Sequence, residues 1–246
     1  MKAFFAAVTT AALCVGIGFA GPAAADVNDL TGAGAFGVSV NATIPGGPAV
    51  SLGPLPSVDL PGGGGNVSTS ALSVNAPPVL TAGVLDVSSE GANLGTHAGF
   101  STSTAEVANV NLLSGALTAE LITATCTSNG DGSTGSSSLL NASAGGSPLD
   151  VSPPPNTTIP IGPIGTIVLN EQIVTNTPGV ETKITVNAIH ITLNVAGITG
   201  DVIISQARCR AAGPDVLNPD GPGGPGAGAP GPAPATPVTA RPTLTG

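Results

Sequence analysis

The chain has 246 residues, of which 41% are apolar, 2% aromatic and 8% charged, and its net charge is −9. With no Trp, no Tyr and five Phe there is no stacking platform for sugar rings or single-stranded nucleic acid, and five Lys and Arg in all are too few to neutralise a phosphate backbone. Nucleic acid is therefore excluded as a partner.

Residues 1–25 carry Lys2, an apolar run from Ala3 to Ala20, the helix-breaking Gly21-Pro22 and then Ala23-Ala24-Ala25. This is the order of a secretory signal peptide cut before Asp26. An uncleaved membrane anchor is the rival reading, but the break and the small residues that follow favour cleavage, which leaves no integral membrane span. Lipidation at Cys14 is disfavoured because Leu13 stands where a small residue is wanted. Cleavage also leaves two cysteines, Cys126 and Cys209. An even pair in an exported chain reads as a disulfide, one that would stabilise the fold by about 4–5 kcal/mol on the chain-entropy view. Free thiols or a zinc site are the alternatives. Two scattered His with no CxxC or HxxxH spacing make a poor ligand set, so no metal and no cofactor is expected.

The body, 26–210, is rich in Val, Ile and Thr, which suit a pleated surface better than a helix. Phe36, Val38 and Val40 alternate, as do Leu117, Ala119 and Leu121 against Thr118, Glu120 and Ile122; both read as half-buried strands. Turn signals lie between such runs at Pro45–Pro48, Pro61–Gly65, Asn129–Gly135, Gly145-Gly146 and Pro153–Pro155. The clearest hairpin joins Thr166–Thr175 to Lys183–Val195 through Asn176-Thr177-Pro178-Gly179, whose Pro-Gly suits a type II turn. The segment ending at Cys126 faintly echoes the one ending at Cys209: each reads as strand, Gly turn, strand, cysteine. The expected fold is all-β, an antiparallel sandwich or barrel-like domain, with a β-solenoid as alternative although no fixed repeat is found. From 211 to 246 Pro, Gly and Ala dominate, and a disordered, solvated tail is expected.

Several ordered segments, among them Ala35–Ala42, Val110–Ser128, Leu169–Gln172, Val186–His190 and Gly200–Cys209, together resemble the choice-of-anchor P family of exported actinobacterial proteins. The resemblance covers most of 34–210. It implies an exported domain found with varied cell-surface anchors and without an established activity. The tail shows no recognisable anchor, so free secretion or non-covalent retention at the surface is the expectation.

Catalytic signals are weak. There is no Gly-x-Ser-x-Gly, and the two candidate bases are His97, in a Gly-flanked loop, and His190, on the polar side of a strand. Glu171 shares phase with the apolar Ile167, Leu169 and Ile173, where a buried carboxylate would be perturbed. A tight turn at Pro178-Gly179 sets Glu171 opposite Val186, whereas a wider loop sets it opposite His190. The Asn129–Gly135 loop offers one carboxylate, short of a calcium site. Asn41, Asn66, Asn141 and Asn156 begin Asn-x-Ser/Thr triplets of the kind chance supplies in so Ser/Thr-rich a chain. The leading functional reading is a non-catalytic secreted or envelope-associated domain that contacts a cell-envelope or extracellular macromolecule. Two alternatives stand beside it. One is an exported hydrolase using Glu171 and His190. The other is an ice- or surface-binding protein using Ser101–Thr104 and Thr123–Thr125, for which regular Thr spacing over successive layers is missing.

Overall fold

The computed structural model describes residues 33–47, 49–94, 98–161, 165–177, 181–195 and 197–212. The expected signal peptide, His97, the Pro178-Gly179 turn and the chain beyond 212 lie outside them. The strands are β1 (Gly34–Thr43), β2 (Val50–Asp59), β3 (Gly64–Ala71), β4 (Val74–Ala76), β5 (Leu80–Ala82), β6 (Leu85–Ala92), β7 (Phe100–Leu112), β8 (Leu117–Asn129), β9 (Gly132–Leu140), β10 (Ser143–Ala144), β11 (Ser147–Pro148), β12 (Thr157–Ile161), β13 (Gly165–Thr177), β14 (Glu181–Val195) and β15 (Ile198–Ala212). A single 3-10 turn, Leu113–Gly115, joins β7 to β8.

All pairings are antiparallel and form two sheets. One has six strands in the order β12-β13-β14-β15-β1-β2. The other has nine, with the long β7–β8 hairpin at its centre: β3, β6 and β9 flank it at one end, and β4, β5, β10 and β11 at the other. The sheets pack face to face over Val38, Val40, Leu85, Leu112, Leu117, Ile122, Ile167, Ile189, Ile191 and Ile204, all almost fully buried. The fold is an open sandwich of two sheets; neither a closed barrel nor a solenoid forms.

Where the hairpins β7–β8 and β14–β15 cross, the sheets come unusually close. Cys126 on β8 and Cys209 on β15 form a disulfide with their Cα atoms 5.8 Å apart, tying the ends of the two echoed segments. Around it the contact is made by hydroxyls on backbone. Ser205 donates to the Ala105 carbonyl at 2.6 Å and accepts from the Ala124 amide at 3.0 Å. Ser103 donates to the Arg208 carbonyl. Ser101 donates to the Arg210 carbonyl and accepts from the Arg210 amide. Strand β1 begins at Gly34, opposite Arg208, so Arg210 lies past its end and Ser101 serves as substitute partner. Ser128 and Thr182 close the seam at 2.7 Å. At Gly135 an added Cβ would collide with Val186 Cγ2 and crowd Ile184 Cδ1, so a bare backbone is what fits between β9 and β14.

Three expectations need correction. Strand β8 does not keep one phase: Leu117 and Ala119 are buried, then Ile122, Ala124 and Cys126. The partner β7 changes phase with it, from Val107 to Val110, while the register stays constant from Val107↔Ile122 to Val110↔Ala119. The cause is Asn109, which takes φ 53° opposite Glu120 and swings both strands over by one residue. The Asn129–Gly135 turn shrinks to Gly130-Asp131, with β9 starting at Gly132 and the Asn129 side chain accepting from the Asp131 and Gly132 amides. Lastly, the tail does not begin at 211. Ala211 and Ala212 are buried in β15, and the Ala212 amide donates to the Leu94 carbonyl.

Reducing the disulfide closes off the fold's long-range staple across 83 residues and is expected to lower unfolding free energy by about 2–5 kcal/mol, read as a shift in the urea midpoint. Gly135→Ala should cost about 1–3 kcal/mol through overpacking, measured the same way with the disulfide intact.

Candidate functional site

The six-stranded sheet bends as the nine-stranded one does. Asn170 on β13 takes φ 48° and Ser205 on β15 takes φ 60°, and the intervening β14 changes face between Val186 and Ile189, both fully buried. As a result Asn187 and His190, three residues apart, both face away from the second sheet. Glu171 turns outward too. It therefore does not interrupt the face of Ile167 and Leu169 as expected; it is partly exposed, and Ile173 beyond it is 53% exposed.

The register across β13 and β14 pairs Glu171 with Asn187 and Val168 with His190, a third solution beside the two considered from sequence. Glu171 and His190 are thus diagonal neighbours, and they touch. Glu171 Oε2 accepts from Asn187 Nδ2 at 2.6 Å and lies 2.9 Å from His190 Nδ1. On the other side His190 Nε2 is 3.4 Å from Asp201 Oδ1, which also accepts from Thr192 Oγ1 at 3.2 Å. Gln206 Nε2 donates to Asn187 Oδ1 at 2.7 Å and completes a chain across three strands. Asn187 and Gln206 are buried although they lie on the outer side of the sheet. The structure unites the expected pair Glu171 and His190 and adds Asn187, Asp201, Thr192 and Gln206, which sequence reasoning did not assign. Both ring nitrogens of His190 face carboxylates, Nδ1 that of Glu171 and Nε2 that of Asp201.

A second polar surface is larger. On the outer side of β3, β6, β7, β8 and β9, cross-strand partners line up in rows. The central row runs Ser68, Ser88, Thr104, Thr125, Ser136. One flanking row runs Asn66, Glu90, Thr102, Thr127, Thr134, and the other Ser70, Asp86, Glu106, Thr123, Ser138. All fifteen positions are exposed or half-exposed, and none is Lys, Arg or a large apolar residue. Neighbouring side chains are spaced by sheet geometry at about 4.8 Å across strands and about 6.7 Å along them. The regularity missing along the chain is present across strands, where register creates it; Ser101 and Ser103, by contrast, point inward to the seam. The signal available in sequence was the i, i+2 run of small polar residues in each strand, as in Asp86, Ser88, Glu90 and Thr134, Ser136, Ser138.

Among the described residues no group of three or more His, Cys, Asp and Glu could hold a metal ion, and no helix is long and apolar enough to cross a membrane. The chain matches no protein-family model, no curated protein and no solved structure.

Asn187→Ala removes the link between Gln206 and Glu171 and should cost about 1–3 kcal/mol of stability. Asp201→Ala, at the exposed end of the same chain of contacts, should cost less than about 1 kcal/mol. Equal losses in chemical denaturation would refute the order of importance given to these contacts.

Proposed function

We propose that the protein is an exported, non-catalytic binding domain whose working surface is the hydroxyl-bearing side of β3, β6, β7, β8 and β9, and that its ligand is a neutral, hydroxyl-rich polysaccharide of the cell envelope or extracellular matrix. The observation that carries this reading is the three rows of polar side chains, eleven of the fifteen Ser or Thr, aligned across five strands by their pairing. Ser and Thr lose little rotamer freedom on contact compared with Lys, Glu or Arg, and they both donate and accept hydrogen bonds. A repeating polymer with hydroxyls along its length can meet such rows many times over through hydrogen bonds alone, without the aromatic stacking platform that this chain lacks. Asp86, Glu90 and Glu106 sit among them with no cation in the rows, which disfavours anionic polymers. The same carboxylates weigh against ice, because stripping their water at an uncharged solid is costly.

Export is supported by the signal-peptide pattern and by the Cys126–Cys209 disulfide, a bond at home outside the reducing cytosol. The resemblance to the choice-of-anchor P family points the same way. Against a hydrolase stands the engagement of Glu171 by Asn187 and of both His190 nitrogens by acids.

Co-sedimentation of the oxidised protein with purified insoluble cell-wall polysaccharide tests the reading. Binding should fall at least tenfold in the double variant Thr104→Arg/Thr125→Arg, which breaks the central row, and stay unchanged in Thr185→Arg on the other sheet. Binding equally reduced by both variants, or no binding by the native protein, would overturn it.

A further inference from the structure

The open edges of a β-sandwich invite pairing with other chains, and natural sequences block them with proline, charge or covering loops. Here β2 carries Pro54 and Pro56, β12 carries Pro160 and β11 carries Pro148. Strand β13 differs. Its first half is paired with β12 from Gly165 to Leu169, but from Ile173 to Thr177 it has β14 as its only partner among the described residues. These five residues, Ile173-Val174-Thr175-Asn176-Thr177, contain no charge and no proline, and every one is exposed. Ile173 and Val174 are 53% and 50% exposed on opposite sides of the strand.

The backbone direction of the free edge follows from its neighbour. The Gln172 amide donates to Asn156 Oδ1 at 2.9 Å and the Asn170 carbonyl accepts from the Asn156 amide at 2.9 Å, both on the side away from β14. By alternation the N–H and C=O groups of Val174 and Asn176 point the same way, outward. Asn156 occupies position 172, which marks where a further strand must stop.

We propose that this edge pairs with the same edge of a second copy of the chain, antiparallel about a two-fold axis. The register is determined. Pairing Val174 with Val174 would bring the Asn176 groups onto Gln172, already taken by Asn156. Moving the axis to Thr175 sets Val174 opposite the partner's Asn176 and Asn176 opposite the partner's Val174. All four outward groups of each copy are then satisfied, and Thr175 faces its own copy in a non-hydrogen-bonded pair. No like charges meet, because the paired segment has none. The two six-stranded sheets become one continuous sheet, and the hydroxyl-bearing surface on the other sheet of each copy stays free. The contact is short by the standard of stable interfaces, so the dimer is weak and forms in proportion to concentration.

The test uses the full oxidised protein in sedimentation velocity over a concentration series, together with two variants. Val174→Pro removes an outward N–H that bonds nothing among the described residues; it should keep the native urea midpoint and remain monomeric where the native chain self-associates. Thr175→Cys places two sulfurs across the axis at disulfide distance and should yield a covalent dimer on non-reducing gels at least fivefold above Thr185→Cys, one strand further in. If Val174→Pro fails to fold, the cysteine pair decides. Cross-linking by Thr175→Cys no greater than by Thr185→Cys, or self-association untouched by a folded Val174→Pro, would overturn the proposal.

Discussion

With no Trp or Tyr and Phe36 as the one buried aromatic ring among the described residues, this chain does not span a wide gap between its sheets with aromatic side chains but narrows the gap. At the crossing of β7–β8 and β14–β15 the facing side chains are Ser101, Ser103, Ala105, Ala124, Cys126, Ser205, Ala207 and Cys209, and the two backbones come near enough for a hydroxyl of one sheet to bond the peptide groups of the other. Close contact of this kind makes buried serines satisfiable, since each has a carbonyl or amide within reach. It also makes them costly to replace, because an alanine would strand the peptide groups that the hydroxyl now serves. The disulfide sits in the same seam, where the Cα separation it demands already exists. Away from the seam the buried side chains are larger, Leu, Ile and Val in place of Ala and Ser.

The seam also accounts for the bends. Ser205 holds a positive φ that a non-glycine residue adopts at a cost, and its two hydrogen bonds to β7 and β8 offset that cost. Once β15 turns over at Ser205, its neighbours must turn with it or lose their ladder. Strand β14 does so near Ala188, and β13 does so at Asn170, whose side chain donates to the Pro153 carbonyl. The polar cluster on the outer side is a by-product of this turn, for without it Asn187 and His190 would lie on opposite faces. Glu171, Asn187 and Gln206 hydrogen-bond one another in a line across the bend, and they act as its brace.

What sequence could and could not tell follows from the same physics. Strand content, the hairpins and the disulfide were legible because alternation, turn residues and cysteine parity are local or compositional signals. The bends were not, since Asn109, Asn170 and Ser205 look like ordinary strand residues until tertiary bonds hold them in an unusual conformation. Every reading that assumed one unbroken phase therefore failed past the bend: Leu121 as a core residue of β8, Glu171 as a carboxylate on an apolar face. The hydroxyl rows were hidden for another reason. Each strand shows only three of their members, and the rows exist only once the four registers that join the five strands are known.

The two outer surfaces differ in how they could be used. All three described basic side chains, Lys183, Arg208 and Arg210, lie on the outer side of the six-stranded sheet, where Arg208 pairs with Asp59 and Arg210 with Glu181. The opposite surface carries acids, hydroxyls and Asn66 in its rows, with Phe100 and Leu140 exposed at their margins. A side chain in an ion pair must give up its partner before it can serve a ligand, whereas the exposed hydroxyls give up water and, between Thr125 and Ser136, one exposed hydrogen bond at 3.0 Å. The surface with fewer internal commitments is the one free to bind, and that asymmetry, more than any single residue, separates the bracing role of the Glu171 and His190 cluster from the recognition role assigned to the hydroxyl rows.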